Sequence, residues 1–273
     1  MDYRELEKAL GYVFPDFRDE DGTDAAAAAD PEILRRLSQN DPDIIQLMVA
    51  CYDDRIANNR NWAKEVGLAI SQSTHLRSIM IEVENRYYYD SDGDDAVADD
   101  PPPPFGVPSF FMELAENRSI KDLFLDGFYH SHMDVFKTLA PFFEHNHNLR
   151  SIRMDTCWQL RKRIPSLISA LVNTAGLKFI CISKARLDDS IAADLINALQ
   201  SMPGLHHLLV LDLGGNKIGQ QGCRALRELL RHPSCKIQCL DIGNNHLDNV
   251  SMGILCGGLV LNTSIKFIDI HSR

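Results

Sequence analysis

The side chains that come nearest to metal chemistry are two histidine pairs, His130-x-His132 and His145-x-His147. Paired imidazoles hold zinc when further thiolates or carboxylates complete the set, and neither pair has such a residue at ligand spacing. They read as surface histidines flanking one helix. Cys235-x3-Cys239 has no second pair and reads as two core thiols. Asp90-x-Asp92-x-Asp94 has the opening spacing of a calcium-ligating loop. Its glycine, Gly93, falls too early, however, and Pro101 stands where a bidentate glutamate is needed. A solvated acidic loop is the expectation there. There is no G-x-S-x-G, no phosphate-binding Walker loop and no H-E-x-x-H. Gly214-Gly215 is the turn after a strand. The residues therefore point to no enzymatic activity, no metal and no cofactor.

The chain that must position these residues has 273 of them, 45% apolar and 24% charged, enough for a sizeable core. The longest apolar run, residues 253–261, is too short for a membrane span and holds three glycines. The formal charge is -10. Most of it lies in two segments, residues 16–30 and 90–100, each with six acids, so the remainder is nearly neutral. No basic footprint for nucleic acid or for a membrane surface is visible. The charged first residues, MDYRELEK, give no secretory signal. Seven irregularly spaced cysteines in apolar contexts fit free thiols in a reducing compartment, and a cytoplasmic protein is expected, with the nucleus also open.

Periodicity organises the chain. LVLDLGGNKIGQQGCRALRELL and KIQCLDIGNNHLDNVSMGILCGGL share an L-x-x-L-x-L-x-x-N-x-L frame. The frame runs through Leu208, Leu211, Leu213, Asn216 and Ile218, then Ile237, Leu240, Ile242, Asn245 and Leu247. Its first three apolar positions recur in units starting at 44, 76, 120, 149, 177, 208, 237 and 265. Each unit pairs a strand-like alternation with a stretch of helical spacing, such as Cys223, Leu226, Leu229 and Leu230. Strict strand–helix alternation calls for parallel strands with helical crossovers. A single unit cannot bury its apolar faces, but stacked units can.

These frames, with the helix entry IGQQGCRALRELL, resemble the leucine-rich repeat family, in particular its ribonuclease-inhibitor-like subclass of 28-to-29-residue units. The resemblance covers residues 44–273. It implies an α/β solenoid, a horseshoe with strands on the concave face and helices on the convex face, of about eight repeats. In the family the frame asparagine satisfies backbone groups of the turn leaving the strand. Here Asn216 and Asn245 keep it, whereas Tyr52, Glu84, Phe128, Cys157 and Ala185 stand in the other full units. Those turns must be satisfied in another way.

Residues 1–43 precede the frame. They read as short helices at 3–13 and 31–39, the second capped by Asp30, joined by a flexible acidic and alanine-rich link. The long step between the units at 76 and 120 holds an acidic, proline-rich loop at about 86–106. The last unit stops at Arg273 with a strand but no helix. That end reads as uncapped: a longer natural chain continues the array, a partner or second copy covers it, or the short tail suffices, the first being favoured, and association through this end is expected.

With Leu123 and Leu125 inward, Asp122, Phe124 and Asp126 point to the concave side. The same rule places Met80, Arg153, Asp155, Phe179, Asp212, Asp241, Phe267 and Asp269 there. Exposed aromatic and methionine side chains beside carboxylates suit a protein partner. Asp212, Asp241 and Asp269 form a column, although aspartate at this position is ordinary in the family. A basic column, Arg77, Lys121, Arg150, Lys178 and Lys266, reads as a solvated strand edge. The resulting expectation is a non-enzymatic protein-binding scaffold. Two alternatives are a GTPase regulator resembling Ran GTPase-activating protein, for which no catalytic arginine can be matched, and the sensing region of a larger receptor.

Overall fold

The computed structural model describes residues 26–27, 30–51, 54–82, 106–127, 134–157, 160–174 and 176–271. Within them nine parallel strands form one sheet whose order follows the sequence. They are β1 (Ala26–Ala27), β2 (Gln46–Ala50), β3 (Ser78–Glu82), β4 (Asp122–Asp126), β5 (Ser151–Asp155), β6 (Phe179–Ser183), β7 (Val210–Asp212), β8 (Cys239–Asp241) and β9 (Phe267–Asp269). Strands β2 to β9 fall on the eight frames. The two-residue β1 was not expected: Ala26 and Ala27 pair with Leu47 and Met48, inside the segment read as a flexible link.

The helices are α1 (Pro31–Ser38), α2 (Asp54–Ala57), α3 (Arg60–Gln72), α4 (Gly106–Leu114), α5 (Val135–Thr138), α6 (Ala140–His145), α7 (Leu160–Val172), α8 (Asp189–Gln200), α9 (Gln220–Arg231) and α10 (Asn249–Leu259). Helix α1 starts as its sequence requires, with Pro31 in the first turn and the Asp30 carboxylate accepting the Glu32 N–H at 2.8 Å. All ten helices send buried side chains into one hydrophobic core against the sheet. The sheet contributes one row in continuous register, Leu47, Ile79, Leu123, Ile152, Ile180, Leu211, Leu240 and Ile268, beside a shorter row of Val49, Ile81, Leu125, Met154 and Ile182. Seven of the eight in the longer row are buried, and Ile268 in the last strand is partly exposed.

Two backbone devices repeat with the frame. The residue two past the third apolar position has a positive φ in five successive units: Gly127 (73°), Thr156 (55°), Lys184 (51°), Gly215 (69°) and Asn244 (53°). The chain leaves each strand through a left-handed residue, which glycine and asparagine adopt at least cost. The second device is the frame asparagine. Asn216 Oδ1 accepts N–H bonds from Ala185 and Leu187, both at 3.1 Å, while its Nδ2 donates to the Ile182 and Leu213 carbonyls at 2.9 Å. Asn245 repeats the pattern one unit on, with Ile218 N–H and the Leu213 and Ile242 carbonyls. Ala185 needs no asparagine of its own because Asn216 of the following unit serves its turn. Cys157 serves its own through a thiol that donates to the Leu125 and Asp155 carbonyls at 3.4 Å. Tyr52, Glu84 and Phe128 lie outside the described residues, as do the 3–13 segment and nearly all of the acidic loop.

Candidate functional site

The concave face is built from the side chains that alternate with the core row. Two of its rows run in register across the sheet. One is Gln46, Ser78, Asp122, Ser151, Phe179, Val210, Cys239 and Phe267; the other is Met48, Met80, Phe124, Arg153, Cys181, Asp212, Asp241 and Asp269. A shorter third row holds Ala50, Glu82, Asp126, Asp155 and Ser183. The alternation thus places every candidate residue on this face, as its sequence position dictates.

Their exposure differs from expectation. Phe124 and Met80 are each 7% accessible and Phe179 is 1% accessible, so these are buried side chains and not open anchors. Strand β4 is buried at all five positions, on both faces of the sheet. Asp122, Asp126 and Asp212 are buried too. Arg153, Asp155, Asp241 and Asp269 are half-buried, and Phe267 is exposed.

Polar side chains on the face are tied to one another. Ser78 Oγ donates to Asp122 Oδ2 at 2.9 Å, Thr156 Oγ1 to Asp126 Oδ1 at 2.6 Å, and Ser183 Oγ to Asp155 Oδ1 at 2.6 Å. The other oxygen of Asp155 takes the Arg153 Nε–H at 3.0 Å, and the Arg153 guanidinium lies 5.8 Å from the Phe124 ring centroid. This lattice fixes the central strands' side chains in one arrangement. Burial pushes Asp122 up to about 7. Burial also pushes Asp241 up to about 6, reinforced by the Asp212 carboxylate and opposed by the Gly243 N–H.

The acidic column has a local structural purpose. Asp212, Asp241 and Asp269 each accept the N–H two residues on, from Gly214 at 2.9 Å, Gly243 at 2.8 Å and His271 at 2.9 Å. Each aspartate thereby starts the turn out of its strand. The basic column lies at the strand entrances, where Arg77, Lys121, Arg150, Lys178 and Gln238 carbonyls each accept two N–H bonds from the next strand. The Arg77 and Arg150 side chains donate to the Thr74 and His147 carbonyls.

Sequence reasoning missed a second asparagine series, three residues before the first apolar position of a unit. Asn117, Asn146 and Asn262 lie there, with Ser73 and Thr174 at the same place. Asn117 Nδ2 donates to the Ile70 carbonyl at 2.7 Å, Asn146 Nδ2 to Ile120 at 2.9 Å, and Asn262 Nδ2 to Leu230 at 2.8 Å. Aligning the frames a few residues further upstream exposes the recurrence.

Of the metal-like motifs, His145 is exposed, with Nδ1 2.9 Å from the Pro141 carbonyl; His130, His132 and the 90–94 aspartates lie outside the described residues. All seven cysteines are free and six are buried. Burial raises Cys235, and burial with the Asp241 and Asp212 charges raises Cys239 to about 12, so both are poor thiolates at neutral pH. Among the described residues no group of three or more His, Cys, Asp or Glu side chains is placed to hold a metal ion. No helix among them is long and apolar enough to cross a membrane.

A Bacteroides fragilis protein of known crystal structure superposes on 98% of this chain and 80% of its own, with a TM-score of 0.53 at 12% identity, which supports the fold. The rat NLR family member X1 is 39% identical over 69 residues, 25% of this chain. Human NACHT, LRR and PYD domains-containing protein 13 is 27% identical over 116 residues, 42% of this chain. The chain has the fold of a leucine-rich repeat solenoid. No family model matches it. It spans only 7% and 11% of the lengths of those two relatives. Dictyostelium discoideum protein CARMIL is similar at 27% identity over 125 residues, 46% of this chain and 12% of its own length.

Proposed function

We propose that this chain is a non-enzymatic binding array of the ribonuclease-inhibitor-like kind, whose concave face grips a protein partner in the cytoplasm without a cofactor. The observation that supports this reading is the register. Apolar side chains and carboxylates stand in straight rows on one rigid sheet, held by a hydrogen-bonded lattice, so a partner would meet a surface already organised. The half-buried Arg153, Asp155, Asp241 and Asp269 and the exposed Phe267 would orient it. Neither nucleic acid nor a membrane fits a face rich in carboxylates.

The test is affinity capture followed by cross-linking mass spectrometry on the captured complex. Cross-links that concentrate on the concave strands support the reading, and so does loss of the partner in Arg153→Glu and Phe267→Ser. Cross-links confined to the convex helices, with capture unchanged in both variants, exclude it.

A second reading is the sensing region of a larger receptor. It is favoured by the relatives named for NACHT and leucine-rich repeat domains, of which this chain spans a small part. Val260 is 80% accessible and Leu261 66%, and with Phe267 and Ile270 they leave an apolar surface suited to further association.

A further inference from the structure

The two ends of the parallel strands carry opposite charge. The last residue of β3, β4, β5, β7, β8 and β9 is a carboxylate: Glu82, Asp126, Asp155, Asp212, Asp241 and Asp269. The helix-to-strand loops that lead into β3 through β9 are the reverse. They are residues 73–77, 115–121, 146–150, 173–178, 201–209, 232–238 and 260–266. Together they hold seven Lys or Arg residues and five histidines against one acid, Glu116, which is ion-paired with Arg118 at 3.2 Å. In a chain of net charge -10 this rim is cationic.

Its centre is a ladder. Arg77, Lys121, Arg150 and Lys178 each stand one residue before strands β3 to β6, whose first residues Ser78, Asp122, Ser151 and Phe179 are in register. Their backbones are joined in series: the Lys121 N–H donates to the Arg77 carbonyl at 2.6 Å, Arg150 to Lys121 at 2.7 Å and Lys178 to Arg150 at 2.8 Å. At about 4.8 Å between strands, the four cations span roughly 14 Å. Lys121 and Lys178 are exposed, and Arg77 and Arg150 are half-buried. His206 and His207 continue the rim in the next loop, with ring centroids 3.9 Å apart. Burial lowers the His207 pKa, and so do the charges of His206, Arg150 and Lys178, which converge on it.

Two structural explanations fall short. Cations guard exposed strand edges, but β3 to β6 are interior strands, each paired on both sides. Cations also suit helix C-termini, but that effect fades within the last turn. The helices before these four residues have already ended at Gln72, Leu114, His145 and Val172. Like charges held this close repel, so folding gains nothing from the ladder. We propose that this rim is a docking surface for an extended, carboxylate-rich segment of a partner protein. Four or five extended residues, at about 3.3 Å each, cover the ladder. The carboxylates at the strand exits repel such a segment and so fix which rim it meets. Single-stranded nucleic acid fits less well, because the seven loops contain no Phe, Tyr or Trp on which bases could stack. The rim is separate from the concave face. Failure of the concave-face reading leaves this proposal standing, and the reverse also holds.

The test is fluorescence anisotropy of the full chain with a labelled peptide of alternating Glu and Ser, set against its Gln-for-Glu counterpart. The Glu peptide should bind tighter by about tenfold or more. Lys121→Glu/Lys178→Glu should weaken it by about tenfold or more, and Lys121→Gln/Lys178→Gln by about threefold. The Gln pair keeps the test readable if the Glu pair fails to fold. Lys137→Glu/Arg224→Glu makes the same charge change at exposed positions on helices α5 and α9, and should stay within about twofold of the unmodified chain. Equal binding of the two peptides overturns the proposal. So does an equal loss in Lys137→Glu/Arg224→Glu, or tighter binding of an oligothymidylate or of phosphatidylserine vesicles through the same two lysines.

Discussion

The amide oxygen of Asn216 accepts the backbone N–H of Ala185 at 3.1 Å, across the boundary between two repeats. One unit's side chain thus completes the previous unit's turn. Asn216 is 4% accessible, so the groups it pairs have no water to fall back on. Asn216→Ala orphans two N–H groups and leaves the Ile182 and Leu213 carbonyls without their side-chain donor. The expected cost is about 3 kcal/mol, read from urea midpoints. Asn216→Asp keeps the acceptor and loses the donor, and should lie between wild type and alanine.

Helix α9 lacks a capping side chain of its own, since Gly219 occupies its N-cap. Asp189 of the preceding helix fills the place. Its carboxylate accepts N–H bonds from Gly219, Gln221 and Gly222 at 2.8, 2.9 and 2.7 Å. Asp189→Ala should destabilise by about 1–2 kcal/mol, and Asp189→Asn by less, by the same denaturation measurement.

Asp122 and Asp241 are raised above the ordinary aspartate value, to about 7 and about 6. Each binds its proton more tightly folded than unfolded. Their contribution to stability is therefore fully present below about pH 4 and is lost as pH rises through 6 to 7. Asp122→Asn should flatten that decline and leave stability at pH 7.5 equal or higher. A decline of unchanged slope in thermal melts across pH 4.5–7.5 would show that Asp122 does not drive it.

Ser151 Oγ is buried without a hydrogen-bond partner on the concave face, and Ser151 is 0% accessible. Removing an unpaired buried hydroxyl relieves a desolvation cost. Ser151→Ala should raise stability by up to about 1 kcal/mol, and clear destabilisation would mean the hydroxyl is satisfied in solution.

Helices α3 and α4 meet at Gly67, where a Cβ would stand 2.7 Å from the Phe110 carbonyl oxygen. Backbone cannot yield as a flexible side chain does. Gly67→Ala should therefore cost about 1–3 kcal/mol despite alanine's better helix propensity, as differential scanning calorimetry can measure.

The repeat was legible because both its periods survive in sequence. Leu208, Leu211 and Leu213 announce a strand, and Cys223, Leu226, Leu229 and Leu230 announce the helix behind it. The direction of each concave side chain followed from alternation alone. Its environment did not, because alternation tells which way Phe179 points and says nothing of what lies above it. The partner of Ala185 was also hidden, since the asparagine that serves it stands 31 residues later. The two-residue β1 carries only alanines, which hold no strand periodicity to detect.

The amide pairs share a direction. Asn117 donates back to Ile70, Asn146 to Ile120, Asn216 to Ile182, Asn245 to Leu213 and Asn262 to Leu230. Each later module closes the one before it. Tension applied at the C-terminus should consequently unzip the horseshoe stepwise, every lost rung stripping the bonds that locked its predecessor, whereas pulling from the other end meets rungs still latched from behind.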